Sequence, residues 1–358
     1  MFHATTDHTI RTRRVSRRSV PGAVAWVLVA VVGACSDGRC VTEPEACGRT
    51  RVTAERELMA TRFRIDVRVD DAEAGERAIE AAFIEIERAE GLLSNWDDAS
   101  QISAVNRSAG VQPVSVSNEL MTVLQRALAM SDLTDGAFDI SFASCGHLWS
   151  IRDRRIPTDA EIATCLPHVD YRKVALDFER SAVYLSDPDM RLGIAGLAKG
   201  YRVDRAAEVL ESRGIADYVV DGGGDMRIAT ESLDGHWPIT VAHPRLDDPL
   251  GKVEIGSGAI ATSGDYEWFF EADGIRYHHI LDPSTGRPSR RCISATVIAA
   301  NAVDADALAT GLFVMGPEEG LALAERLPGV EALLIAPDLS VRSTPGFPPL
   351  IVLGEVES

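Results

Sequence analysis

Lysine is nearly missing from this sequence. Of its 36 basic residues all but Lys173, Lys199 and Lys252 are arginine, and 54 acidic residues leave a formal charge of −18 over 358 positions. Such a deficit of positive charge argues against a nucleic-acid binder, which presents a basic patch or stripe. It still permits a phosphate-bearing ligand, because a metal ion and backbone amides hold phosphates in acidic proteins. Cysteine is sparse too. The six cysteines form no C-x-x-C pair and no Cys/His cluster at zinc spacing, so the sequence offers no thiolate metal centre. The absence of a 20–50-residue repeat and of low-complexity tracts argues against solenoids and arrays. The longest apolar run, VPGAVAWVLVAVVGA, is too short to span a bilayer comfortably.

What is present reads as globular. Apolar residues make up 46% and charged residues 25%, with length for one large domain or two ordinary ones. The first 34 residues differ from the rest: the basic stretch RTRRVSRRS, the apolar run, then small residues before Cys35. That pattern predicts an export signal, and the small residues before cysteine resemble a bacterial lipobox with Cys35 lipidated. Ser16-Arg17-Arg18 resembles a twin-arginine signal more weakly. Removing residues 1–34 leaves 31 basic and 53 acidic residues, a surface that anionic headgroups would repel, so attachment would rest on the lipid. Residues 35–55 read as a tether and 56–350 as the folded domain. In an oxidising compartment Cys145 could pair with Cys165, or Cys40 with Cys47; spacing leaves the connectivity open.

Periodicity sets the elements. RFRIDVRV alternates Phe63, Ile65, Val67 and Val69 on one face, a half-buried strand. Asp71 caps a helix carrying Ile79, Phe83, Ile86 and Leu93, and a second helix starts at Ser117. A third runs from about Tyr201 to Arg213 with Gly214 as its stop. Strands are expected at DYVVDG, WPITVAH, GAIATSG, RYHHIL, ISATVIAA and VEALLIAP, with helices from Asp304 to Met315 and from Pro317. Strands and helices mix without strict alternation, which predicts an α+β fold with mixed or antiparallel sheets and packed helices.

Four stretches could carry chemistry. LGIAGLAKGYRVD places Gly196 and Lys199-Gly200 before the third helix, where free amides and a dipole end suit phosphate; a lysine there, in an arginine-rich chain, suggests a compact point charge. VVDGGGDM lets a ligand approach closely, or is a flexible hairpin. ADALAT puts Asp306 and Thr310 on one helix face, oxygen ligands of the kind Mg²⁺ takes; Thr310 could instead back-bond, and Asp304 or Asp306 cap the helix. In YHHILDPSTGRP, His278 and His279 are adjacent on a strand, so one faces inward and the other outward. Trp96, in the polar loop LLSNWDDASQIS, either stacks on a ring or plugs a local core.

Taken in order, ELMATRFRI, LLSNWDDASQIS with Asn106, GAFDISF, AGLAKGYRVD, YVVDGGGDMR, AIATSGDY, HHILDPSTGRP and DADALATGLFVMG resemble the ApbE family of FAD:protein FMN transferases. The resemblance implies an ApbE-like (T-fold-like) architecture. It also implies an enzyme that binds FAD with Mg²⁺, cleaves its pyrophosphate and transfers FMN to a Ser or Thr of a partner protein, releasing AMP. By position, the FAD contacts fall on Met59, Trp96, Ala137, Phe138, Asp139, Lys199 and Ile280. The metal ligands fall on Asp306 and Thr310, with the carbonyl of Gly196. The family's histidine aligns with His279, the expected base for the acceptor hydroxyl, with Asp282 orienting the loop. The chain departs from the pattern at Gly193 (usually Asp), Trp96 (Tyr), Ala60 (Gly) and His278 (Ser). No D-x-x-[ST]-G-A-T type motif, of the kind the family's acceptors carry, occurs here, so modification is expected in trans, on an exported or membrane redox protein. Two alternatives are an FAD pyrophosphatase with water as acceptor, and a flavin-binding lipoprotein without turnover.

Overall fold

Alternation and capping build the frame from its first strands. The computed structural model describes residues 40–44, 48–58, 61–94, 97–232 and 235–351. The export signal, Cys35, Cys47, Met59, Ala60 and Trp96 lie outside the described residues. Among these, nine strands form one sheet: β1 (Val41–Pro44), β2 (Thr50–Leu58), β3 (Thr61–Val69), β4 (Tyr218–Gly222), β5 (Asp225–Ala229), β6 (Gly258–Gly264), β7 (Ser294–Ala299), β8 (Glu331–Ile335) and β9 (Val341–Ser343). Their order across the sheet is their order along the chain, and every neighbouring pair is antiparallel.

The expected strand at 62–69 is β3, and its apolar alternates are buried. The tether expected at 35–55 is corrected at its C-terminal end: residues 50–55 belong to β2, which pairs with β3 from Thr50↔Val69 to Leu58↔Thr61. Polar side chains hid it. Arg51 Nε and Thr53 Oγ1 donate to Asp66 Oδ1 at 2.9 and 2.6 Å, so the outer face of this hairpin is an ionic ladder.

Helices cover one face. Asp71 caps α1 (Ala72–Leu93), accepting from the Glu73 and Ala74 amides. Ser117 caps α2 (Asn118–Leu133). The third helix corrects the expectation: α3 spans Ala195–Ser212, six residues earlier than its periodicity indicated. Glycine here serves packing rather than a turn. A Cβ at Gly200 would stand 2.2 Å from the Ala302 carbonyl oxygen, so the glycine lets α3 lie against α4 (Ala302–Met315). Asp204, one turn on, accepts from the Ala302 and Val303 amides at 2.8 Å each and so caps α4 from a neighbouring helix. Helix α4 is apolar nearly all round and correspondingly buried between α3 and the strands β6 and β7. A shorter helix, α5 (Pro317–Ala324), follows.

On the other face, alternates of the same strands (Val219, Ile228 and Ile260) meet a separate hairpin, Trp237–Val241 paired with Gly251–Ile255. Between α2 and α3 lie a loop closed by a disulfide, Cys145–Cys165, and two strands, Val174–Asp177 and Ala182–Leu185, that form a three-stranded sheet with Val114–Ser115 from before α2. Among the described residues no helix is long and apolar enough to cross a membrane.

Candidate active site

The helix α4 carries the first pair. Asp306 and Thr310 stand four residues apart on the face turned to α3 and β6, where Thr310 Oγ1 is 3.2 Å from Ser263 Oγ. Asp306 Oδ2 accepts from the Gly200 amide at 3.0 Å. A Cβ at Gly196 would lie 3.2 Å from Thr310 Oγ1 and 3.1 Å from the Phe138 ring, so these residues form one tight wall. Lys199 projects from the same side of α3, with Nζ 3.1 Å from Asp225 Oδ2 at the start of β5. Asp304 does not belong to this group; Asn301 caps α4 and Asp304 pairs with Arg126.

Electrostatics bind these groups into one unit. Burial would lower the Lys199 pKa, but the carboxylates of Asp225, Asp306 and Glu267 outweigh it and hold the ammonium above its usual range. Burial and the adjacent Asp225 push Asp306 well above the carboxylate range, against Lys199, the Gly200 amide and Arg202.

The histidine pair comes from a separate hairpin. The strand Ile275–His278 ends at the pair and alternation separates them. His278 is buried, its Nε2 2.8 Å from the Ser289 carbonyl and its Nδ1 accepting from the Ile280 amide, with its ring edge-on to Phe313. His279 is exposed, anchored by its amide and Nδ1 to the Trp268 carbonyl at 3.2 and 3.3 Å. Although its edge opens to solvent, the protein crowding its sides disfavours the imidazolium, and with His278 and the Lys199 ammonium it brings the pKa down to about 4. Asp282 follows in a tight turn, accepting from the Ser284 amide and hydroxyl at 2.9 and 2.6 Å. Lys199, Asp306 and Thr310 therefore come together from α3 and α4, and the charge of the ammonium reaches the His279 imidazole.

A model of the ApbE family matches residues 59–334. The chain belongs to the ApbE family. It is 36% identical over 250 residues to an FAD:protein FMN transferase of Vibrio cholerae, covering 67% of this chain and 74% of the relative. It is 35% identical over 289 residues to an FAD:protein FMN transferase of Treponema pallidum, covering 75% and 80%. The crystal structure of the ApbE protein from Thermotoga maritima superposes with a TM-score of 0.76 at 33% identity, covering 83% of this chain and 98% of that one. The α+β fold with antiparallel sheets and packed helices is that of the ApbE structures.

Within this ApbE chain the expected positions fall into two groups. Lys199, Asp306, Thr310 and Gly196 come together as described, and His279 is linked to them through the Lys199 charge. Phe138, Asp139 and Ile280 are buried, and Ala137 is half-buried. Asp139 is engaged by protein at both oxygens: Oδ1 accepts from the Ser141 amide and hydroxyl at 2.7 and 2.6 Å, and Oδ2 from the Tyr171 amide at 3.2 Å. Lys199 and Gly200 lie inside α3, not in a turn before it. At Gly193 the space a side chain would need is filled, since a Cβ there would meet Phe142 Cε1 and Ala143 Cβ at 2.9 Å. The departure at Gly193 is thus matched by Phe142.

The donor set suits a hard dication. A carboxylate, a hydroxyl and a backbone carbonyl are the oxygens that Mg²⁺ takes. Beside them is Asp225, 1% exposed, whose Oδ2 has no hydrogen-bond partner among the described residues. A second group of candidate ligands, His168, Asp187 and Asp189, already holds an internal cation, with Lys173 Nζ 3.0 Å from Asp187 Oδ2.

Sequence reasoning missed Asp225, Glu267 and Ser263. The glycine run before Asp225 marked the hairpin, where Gly223 and Gly224 take positive φ of 67° and 97°, but not the carboxylate after it. Glu267 carries no periodic signal and is found only through the fold.

Proposed function

We propose that the protein transfers FMN from FAD to a Ser or Thr hydroxyl of a partner protein, in a Mg²⁺-dependent reaction that releases AMP. The grouping of Lys199, Asp306 and Thr310, with the His279 imidazole within reach of the Lys199 charge, supports this reading, together with relatives named FAD:protein FMN transferase. Asp306, Thr310 and the Gly196 carbonyl would hold Mg²⁺, whose charge draws electron density from the diphosphate. Lys199 sets a compact positive charge against the phosphate. Ala137, Phe138 and Ile280 would line the FAD site, with Asp139 shaping it; Met59 and Trp96, which the resemblance also assigns to FAD, lie outside the described residues.

A hydroxyl is a poor nucleophile near neutrality and needs a base. His279 takes its proton as the acceptor oxygen bonds to the FMN phosphorus and the bond to AMP breaks. The imidazole is neutral at working pH, so it is ready to accept that proton. Asp282 fixes the turn behind it.

Export and lipidation at Cys35, facing the periplasm, complete the reading; the N-terminal sequence and the Cys145–Cys165 disulfide support them. The acceptor is then an exported or membrane redox protein. Incubating the protein with FAD, Mg²⁺ and such an acceptor tests the reading. Flavin fluorescence on the acceptor band with stoichiometric AMP is expected; FMN free in solution with an unmodified acceptor would mean a pyrophosphatase, and bound FAD without AMP a flavin carrier.

A further inference from the structure

Asp225 is the most enclosed carboxylate of the site, and nothing assigned so far uses it. Its carboxylate adjoins that of Asp306. Its Oδ2 is ion-paired with Lys199 Nζ at 3.1 Å, and no other described residue donates to it. A buried oxygen left this way is placed for an ion rather than for a fixed donor. Lysine is also the unusual choice here. A chain that otherwise uses arginine puts one of three lysines at this point. An arginine fork would lock the carboxylate bidentately, whereas an ammonium on a flexible stem can leave. The Lys199 side chain is 34% exposed, so it has a way out toward solvent and ligand.

We propose that Asp225 belongs to the cation site and that Lys199 is its resident occupant, the ammonium and a divalent cation competing for the Asp225–Asp306 pair. The inference rests on the reading above, in which Asp306 and Thr310 hold the metal. On that basis the protein carries its own displaceable counter-charge. The buried carboxylates are neutralised before ligand arrives, and the lysine is released toward the diphosphate as the cation enters.

The test uses Mn²⁺ alone, without flavin, titrated into the full chain and followed by electron paramagnetic resonance of the free ion. Asp225→Asn is expected to weaken Mn²⁺ binding by roughly tenfold or more, the range found when groups supporting a metal are removed. Lys199→Gln is expected to tighten it severalfold, and to lose that effect in the Asp225→Asn background. A Lys199→Gln protein that binds Mn²⁺ no tighter than the parent overturns the competition, and unchanged binding in Asp225→Asn overturns the role of Asp225. Asp306→Asn separates the two readings. If it binds Mn²⁺ like the parent, the cation does not sit at Asp306 and the metal assignment itself fails. Circular dichroism of each variant shows whether it has folded, and Lys199→Gln decides the question should Asp225→Asn not fold.

Discussion

Replacing Gly200 by alanine tests how closely α3 and α4 must approach for the site to exist. The added Cβ would stand 2.2 Å from the Ala302 carbonyl oxygen, 2.5 Å from its carbon and 2.8 Å from the Val303 nitrogen. All three are backbone, so no rotamer change relieves the contact. Carbon–oxygen contacts begin at about 3.3 Å, so the helices must part by roughly 1 Å. Overpacking of this kind costs about 1–3 kcal/mol. The shift also pulls the Ala302 and Val303 amides from Asp204, and bonds to a charged group are each worth about 1.5–3 kcal/mol. Alanine's better helix propensity returns about 1 kcal/mol. The expected net loss is about 3–8 kcal/mol, a fall in Tm of at least about 6 °C at roughly 2–4 °C per kcal/mol, read by thermal unfolding followed by circular dichroism. Gly91, near the end of α1, supplies the control: a Cβ there meets nothing within 4 Å, so Gly91→Ala gains up to about 1 kcal/mol. A Gly200→Ala protein as stable as the parent refutes the argument, because the helices would then have slack that the contacts deny.

Other outcomes follow from the same geometry. His279→Ala lowers transfer by about 10²–10⁴-fold with FAD binding kept; transfer at the parent rate removes His279 from the mechanism. Because the protein crowding its sides, with His278 and Lys199, lowers its imidazole to about 4 although its edge is exposed, the base is lost only as pH falls through that value, so the rate stays level from about pH 6 to 8 and an acid limb centred near 6.5 contradicts the assignment. Asp139→Ala strands the Ser141 and Tyr171 amides and costs about 1–3 kcal/mol; a loss of FAD affinity at unchanged Tm would instead make Asp139 a direct contact. Cleaving Cys145–Cys165, which spans 20 residues, costs about 3 kcal/mol. The sulfur of Cys145 lies against the Gly286 turn after the histidines, so flavin transfer falls as well; an unchanged Tm on reduction removes the disulfide from the stability account.

Much of this fold was legible because burial writes itself into periodicity. The alternates of β3, the Asp71 and Ser117 caps and the apolar α4 all stand where the pattern puts them. Strand β2 escaped because its outer face is arginine, threonine and glutamate, which reads as linker until Asp66 is seen to gather them. The start of α3 escaped because glycine signals a turn locally and close helix packing only in three dimensions. Asp306, Thr310 and His279 were legible as short motifs. Asp225 and Glu267 were not, since what gives them meaning is Lys199, more than twenty residues away in the chain.

The nine-stranded sheet pairs each strand with its predecessor, so half of its joints close over a few residues and three more over about thirty. One is far longer than the rest: β3 must find β4 across everything between Val69 and Tyr218, including α1, α2 and the site helix α3. Loop entropy is concentrated in that single seam, and refolding will wait on it. Severing the excursion at an exposed bend and rejoining the native ends, if tolerated, will change the speed of refolding more than the height of the melting point.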